Sequence, residues 1–268
     1  MLDDRYNATL LTRQEVGPGL HVLRVLPDGG VLPFQPGQHV WLGLRGDAPR
    51  IETSVPDDAD EHPSRLIKRA YSLASAPREA AFELFVNAVH GGTFTPRLLA
   101  VPDGGRCWCT PSAKGTFTLD GVQSEGHLVL LATGTGLAPY VSMLRHLDRE
   151  GRLEEGGRRI VLAHGVRLAA DLGYRSELEA LAGRSNVVYV PTVTRDSVFD
   201  GHRARISELW DRGVLAGALG RPLDPTRDHV FLCGNPEMVD EMAARARAAG
   251  FTLHSAAHPG GLHLERYW

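Results

Sequence analysis

One glycine turn and three arginines hold the most specific chemistry in this sequence. Residues Leu128 to Arg145 read LVLLATGTGLAPYVSMLR. Leu128 to Leu131 form an unbroken apolar run, Gly134, Thr135 and Gly136 interrupt it, and from Leu137 the apolar spacing turns helical. The segment is therefore a strand, a glycine turn and a helix. Such a turn leaves backbone N–H groups unshielded, and the helix adds the positive end of its dipole, a combination that suits a pyrophosphate. Pro139 fits the first helical turn, which does not need the N–H that proline lacks. A glycine turn after a strand is also a common tight connection, so alone it decides little. The next strand, Ile160 to His164, adds weight. Folds that bind NAD end this strand in Asp or Glu, which accepts from the ribose 2′-OH; here the chain runs Gly165, Val166, Arg167. Arg195, after Asn186 to Thr194, and Arg205, opening Arg205 to Trp210, place two more guanidiniums at strand or helix ends. Each alone is an ordinary solvated arginine among 29 Lys and Arg. Three planar forks at successive exits match a phosphate dianion and point to a 2′-phosphate pocket, and so to NADP.

The elements that must position these residues follow from the pattern. After Gly121, strands at Leu128 to Leu131, Ile160 to His164, Val187 to Thr194 and His229 to Leu232 alternate with helical segments at Leu137 to Arg149, Tyr174 to Ala182, Ile206 to Trp210 and Pro236 to Ala249. This alternation predicts an α/β domain, a parallel sheet with helices on both faces. Its ligand belongs at the carboxyl ends of the strands, where Thr135, Arg167, Arg195 and Cys233 to Pro236 fall. The first half instead carries short β-rich segments at Ala8 to Glu15, Leu20 to Leu26, His39 to Leu44, Leu66 to Leu73, Phe82 to Val89 and Arg106 to Thr110, separated by turn residues. That spacing predicts a small antiparallel β-barrel. A boundary near Ser124 gives domains 1–123 and 124–268. Between Arg45 and Arg65 the acidic, Pro-rich stretch RGDAPRIETSVPDDADEHPSR is too poor in apolar residues to form core and reads as a mobile loop. Residues His263 to Trp268 show neither strand nor helix pattern; they end on Tyr267 and Trp268, aromatics of a kind more often anchored than frayed.

Composition bounds the class. With 268 residues, 43% hydrophobic and 23% charged, the chain has room for two modest cores. A formal net charge of −3 argues against nucleic-acid binding. The start, MLDDRYNATL, has neither a basic n-region nor an apolar h-region, and no apolar run approaches membrane-spanning length, so the expectation is a cytoplasmic protein without a membrane partner. Cys107, Cys109 and Cys233 form neither an even framework nor a C-x-x-C pair, and Cys107 and Cys109 read as buried thiols on one strand face. The histidines lack metal-site spacing, so no metal is expected.

Five motifs in order, RAYSLAS, GGTFTPRL, ATGTGLAP, LCGNPEM and the terminal ERYW, resemble those of the bacterial ferredoxin (flavodoxin)–NADP reductases over nearly the whole chain. The departure is the Arg45 to Arg65 loop, longer than is usual there. The resemblance implies FAD on the barrel and NADP(H) as substrate on the second domain. It assigns Arg69 to the FAD pyrophosphate, Tyr71 to stacking on the isoalloxazine and Ser72 to a hydrogen bond near flavin N5, with Ala70 inside the same strand site. Gly91 and Gly92 then let backbone approach the pyrophosphate, Thr95 caps a helix or donates, and Phe85, Val86 and Phe94 wall the cofactor. On pattern alone Tyr71 is equally a barrel tyrosine, and the three apolar residues equally barrel core. In the second domain the resemblance gives Thr135 and Gly136 to the NADP pyrophosphate and Arg167, Arg195 and Arg205 to the 2′-phosphate, with Arg203 of HRARI the alternative to Arg205. Cys233, followed by Gly234 and Asn235, lies beside the nicotinamide as a positioning group; by composition it is a buried thiol. Tyr267 and Trp268 cover FAD and compete with the nicotinamide, and Glu265 relays a proton near N5. The catalytic set implied is Ser72, Cys233, Glu265 and Tyr267.

The activity implied is hydride transfer between nicotinamide C4 and flavin N5, then single-electron exchange with a small acidic carrier, ferredoxin or flavodoxin, by a monomer. Arg65, Lys68, Arg145, Arg149 and Arg152 are candidates for a basic rim that steers the carrier, with solvated faces the plainer account. The alternative is a stand-alone NAD(P)H reductase component feeding an oxygenase system. Its fused iron–sulfur form needs at least four cysteines, and the chain has three. A flavin-binding electron-transfer subunit predicts no phosphate arginines, and a redox sensor predicts no steady NADPH oxidation.

Overall fold

The computed structural model describes residues 3–55, 57, 62–88, 91–122 and 125–266. The chain divides into two compact units, Met1–Thr118 and Leu119–Trp268. The expected boundary residue Ser124 lies outside the described residues.

In the first unit, among the described residues, strands β1 (Ala8–Gly17), β2 (Leu20–Pro27), β3 (His39–Arg45), β4 (Leu66–Ser72), β5 (Phe82–Asn87) and β6 (Arg106–Cys109) form one sheet in the order β4-β3-β6-β1-β2-β5. Neighbouring strands are antiparallel. The two ends of that order meet: Leu73 bridges Leu84, and the Ala74 N–H donates to the Glu83 carbonyl at 2.8 Å. The sheet therefore closes as a barrel, which removes its exposed edges. Period-two alternation sends Leu10, Leu23, Val40, Leu42 and Leu84 into a common core. Helix α1 (Thr95–Ala100), with Pro96 in its first turn, adds Leu98 and Leu99 to that core, next to Phe94. The Arg45 to Arg65 stretch needs a correction on one point. Its few apolar residues do take part in the core, since Ala48 and Ile51 pack against it and the Ile51 N–H donates to the Pro96 carbonyl at 3.2 Å. Asp57 of the same stretch receives both ends of the fully buried Arg97 guanidinium, at 2.7 and 3.1 Å.

The second unit is a parallel sheet of β7 (Leu128–Thr133), β8 (Ile160–Val166), β9 (Val187–Val193), β10 (His229–Gly234) and β11 (Leu262–Arg266), in the order β11-β10-β7-β8-β9. Its central strands are apolar runs because helices cover both faces of such a sheet. The helices are α2 (Ala138–Arg149), α3 (Arg175–Ala182), α4 (Ile206–Asp211), α5 (Val214–Leu219) and α6 (Pro236–Ala248). The chain lays β8 and β9 to one side of β7, then returns to lay β10 and β11 on the other. The reversal falls between β7 and β10. Strand β11 corrects the reading of the carboxyl-terminal stretch as patternless: Leu262 to Arg266 pair in parallel with Val230 to Gly234. Leu262, His263, Leu264, Glu265 alternates too briefly to register as a strand, and its neighbour supplies the missing hydrogen bonds. Helix α5 was likewise not anticipated, because Gly217 interrupts a six-residue run.

Candidate functional site

The barrel presents its candidate residues on β4. Pairing with β3 sets Ile67 opposite Leu44, Arg69 opposite Leu42 and Tyr71 opposite Val40. Ile67, Arg69, Tyr71 and Leu73 thus share one strand face, the one that enters the core. Ile67 and Leu73 are buried there, yet Arg69 is exposed and Tyr71 only half-buried. A core-facing register that protein does not cover leaves a ledge with a flat ring and a guanidinium on it. Arg69 donates to the Lys68 carbonyl at 2.8 Å and holds no carboxylate among the described residues. Tyr71 packs against Phe94, ring centroids 6.0 Å apart, and its hydroxyl lies 3.0 Å from Thr95 Oγ1. Burial pushes the phenol up to about 12, so it stays protonated near neutrality. Thr95 therefore spends its hydroxyl on Tyr71; the cap position of α1 is Phe94, without a side-chain cap bond. Ala70 is exposed and Ser72 buried, both on the other strand face. A Cβ placed on Gly91 would meet no atom within 4 Å, so its neighbours leave that backbone open; Gly92 beside it is half-buried. Val86 and Phe94 belong to the barrel core, while Phe85 is buried on the opposite face of β5. These residues fit a flavin nucleotide: a ring platform, a cation without a carboxylate among the described residues, and an open glycine backbone.

In the second unit the reversal of strand order brings two turns together. Gly134–Leu137 form a single helical turn between β7 and α2, and Asn235 caps α6 by accepting from the Glu237 and Met238 N–H groups at 2.8 and 3.3 Å. The Asn235 N–H donates to Thr133 Oγ1 at 2.9 Å. A Cβ on Gly136 would stand 2.5 Å from the Cys233 carbonyl, and one on Gly234, at φ +133°, would strike Thr133 Oγ1. Both glycines are thus required by the approach of one turn to the other. Gly134, at φ +54°, is the one whose missing side chain faces open space. Two helix starts side by side at the carboxyl ends of the strands, at the reversal point, make a site for a dinucleotide phosphate.

Backbone pairing sets the segments that carry the three arginines side by side. The Arg195 N–H donates to the Arg167 carbonyl at 2.8 Å, just beyond β8 and β9. Within β9, Thr192 bridges His202 and donates from its hydroxyl to the Ala204 carbonyl at 2.6 Å, which lays the segment leading to Arg205 along the same strand. Arg167, Arg195 and Arg205 are exposed, and their guanidiniums have no partner among the described residues. By contrast Arg145, Arg175, Arg184, Arg212 and Arg245 of the same unit each hold an Asp or Glu. Arg203, the alternative to Arg205, donates to the Ser197 carbonyl at 2.6 Å, and so braces a loop.

Cys233 and Glu265, singled out separately in the sequence, are cross-strand partners on β10 and β11, with Sγ 3.8 Å from Oε2. The thiol is fully buried. Tyr267 and Trp268 lie outside the described residues. Three of the candidate rim cations have partners. Arg145 is held by Glu177 at 2.6 Å, Arg152 by Glu155 at 2.8 Å, and the Lys68 ammonium sits 3.8 Å over the Trp108 ring. Two groups escaped sequence reasoning. Arg97 is a buried cation whose only signal was an arginine within the apolar helix TPRLLA. His164 is a histidine within the buried strand IVLAHGV, and its Nε2 lies 3.0 Å from the Gly134 carbonyl. Burial raises the Cys107 and Cys109 thiols to about 12 and leaves them unreactive. Among the described residues no cluster could hold a metal ion, and no helix is long and apolar enough to cross a membrane.

Comparison with known proteins bears on both sites. The profile of the oxidoreductase NAD-binding domain family matches residues 130–244. The flavodoxin/ferredoxin–NADP reductases of Shigella flexneri and Escherichia coli (strain K12) are each 33% identical to this chain over 244 residues, 89% of it and 89% of theirs. The crystal structure of a ferredoxin NADP+ reductase from Neisseria gonorrhoeae with bound FAD and NADP superposes with a TM-score of 0.81 at 25% identity, over 98% of this chain and 99% of that one. Such identity, sustained through both the barrel and the parallel sheet, means that the chain belongs to the flavodoxin/ferredoxin–NADP reductase family.

Proposed function

We propose that this protein is an FAD-dependent reductase that moves electrons between NADPH and a one-electron carrier, ferredoxin or flavodoxin. The observation that carries the reading is the set of unspent guanidiniums of Arg167, Arg195 and Arg205, on segments at the carboxyl ends of β8 and β9. The nearby carboxylates of Asp171, Asp196 and Glu208 accept from backbone N–H groups, which leaves the three guanidiniums for an anion; the ribose 2′-phosphate is such a dianion and is the group that separates NADP from NAD.

What FAD supplies when bound is the conversion of a two-electron hydride into single electrons, a chemistry no side chain has. This chain's residues bind and orient. Arg69 offers a guanidinium to the flavin pyrophosphate, and Gly91 and Gly92 let the backbone come close. Tyr71 gives a ring platform held by the tilted Phe94 ring and by Thr95 at its hydroxyl. Ser72 contributes a hydroxyl donor from the neighbouring position. Thr135 offers its N–H to the NADP pyrophosphate, and the start of α6 beyond Asn235 adds a second positive helix end. Cys233 has its thiol 3.8 Å from the Glu265 carboxylate, and Glu265 takes up or releases a proton in this reading. Tyr267 and Trp268 complete the reading as aromatic covers over the flavin. The protein acts as a monomer in the cytoplasm.

The test is direct. Purified protein should carry a yellow flavin spectrum that bleaches on anaerobic mixing with NADPH. A colourless protein, or a spectrum that NADPH leaves unbleached, overturns the reading.

A further inference from the structure

The Gly134 carbonyl and the Thr135 N–H belong to one trans peptide, so they point in opposite directions. Whatever holds the carbonyl aims the N–H. The group that holds it is His164 of β8, which is fully buried, with Nε2 3.0 Å from Gly134 O and Nδ1 3.4 Å from the Tyr189 hydroxyl on β9. Both contacts are satisfied together by one neutral tautomer, in which Nε2–H donates to the carbonyl and Nδ1 accepts from the tyrosine. Burial keeps the ring neutral by lowering its pKa to about 4. Thr135 is the second residue of its helical turn, a position with no intrahelical acceptor for its N–H. The side of Gly134 away from its chain neighbours is open, since a Cβ there meets nothing within 4 Å.

We propose that His164 is a positioning residue for the nicotinamide nucleotide: by holding the Gly134 carbonyl it fixes the Thr135 N–H as a donor to the nucleotide's pyrophosphate. The proposal rests on the reading that the turn after β7 takes that pyrophosphate. It assigns a binding role to a side chain that never touches the ligand, and it explains why a polar residue occupies a strand otherwise built of apolar ones.

The experiment compares NADP+ with adenosine 2′-phosphate, which keeps the 2′-phosphate and lacks the pyrophosphate, on the flavin-loaded protein. His164→Leu should weaken NADP+ binding by about tenfold, the scale of one lost hydrogen bond to a charged ligand's donor, and leave adenosine 2′-phosphate binding unchanged. His164→Gln, which keeps an N–H donor of similar reach, should recover most of the loss. Should the leucine variant not fold, His164→Asn, polar but too short to reach Gly134, carries the same expectation. The amide resonance of Thr135 in the wild-type protein, followed by NMR as NADP+ is added, separates the two ideas. An unmoved Thr135 amide overturns the pyrophosphate turn itself. A moved amide with NADP+ affinity equal in wild type and variant, or with both ligands weakened alike, overturns the role of His164 alone.

Discussion

Replacing Asp57 by asparagine tests how the long loop supports the barrel. Arg97 is fully buried and Asp57 is 14% exposed, and they meet through two hydrogen bonds, the shorter at 2.7 Å. Removing one partner of a buried pair costs about 3 to 5 kcal/mol, because the other charge stays behind without compensation. Here the loss is smaller. Arg97 keeps its bonds to the Gly46 and Thr93 carbonyls at 2.9 and 2.6 Å, and Asp57 lies near enough to solvent for water to help. A cost of about 2 to 3 kcal/mol remains, which lowers the barrel's melting temperature by roughly 8 to 12 °C. Arg97 follows Thr95 by two residues on α1, and Thr95 holds the Tyr71 hydroxyl. Loosening the pair should therefore also speed flavin release, read as the rise of free-flavin fluorescence during a thermal ramp. Asp47→Asn is the control, since Asp47 pairs with Arg45 on an exposed surface, where such bridges contribute little. An Asp57→Asn protein that melts with the wild type, while the control does the same, would refute the structural role given to the loop.

Arg167→Ala should weaken NADPH binding more than about tenfold and barely change NADH binding, since only the former carries the 2′-phosphate; an equal fall for both, by fluorescence titration, misplaces the pocket. Arg205→Ala should reproduce that selectivity, whereas Arg203→Ala, which frees the Ser197 loop, should affect both nucleotides alike. In the second unit His229 and His263 touch at 3.1 Å, and His263 stacks on Phe231 and His254. Burial holds His229 down to about 4, with Arg158 and His254 adding repulsion, and holds His263 down to about 3, with His229 and His254 adding theirs. The unfolded chain then binds protons first as pH falls, so stability is complete above about 6.5 and is lost progressively toward 4. Urea midpoints of the second unit measured across that range should fall, and His263→Phe should flatten the trend; a pH-independent midpoint contradicts the burial of these rings.

Much of this protein was legible in its residues because the periods are local. Alternation marked the barrel strands within a residue or two of their observed ends, and the apolar runs of β7, β8 and β10 announced a parallel sheet. The turn Gly134 to Gly136 and the cations Arg167, Arg195 and Arg205 were visible as types at strand exits. What escaped was decided at long range. Leu262 to Arg266 became a strand only because β10 offers it partners, and Cys233 met Glu265 only through that pairing. A free Arg205 beside an engaged Arg203 depends on where Ser197 lies, and nothing in HRARI records it.

The sequence by itself determined which elements form and which chemical groups stand at their ends, since hydrophobic period, turn residues and side-chain type are properties of neighbours along the chain. Only the tertiary structure decided which of those groups are spent on each other and which remain for a ligand. Hydrogen bonds and ion pairs are contacts in space, and a buried cation such as Arg97 or a buried ring such as His164 must find its partner wherever the fold has put one.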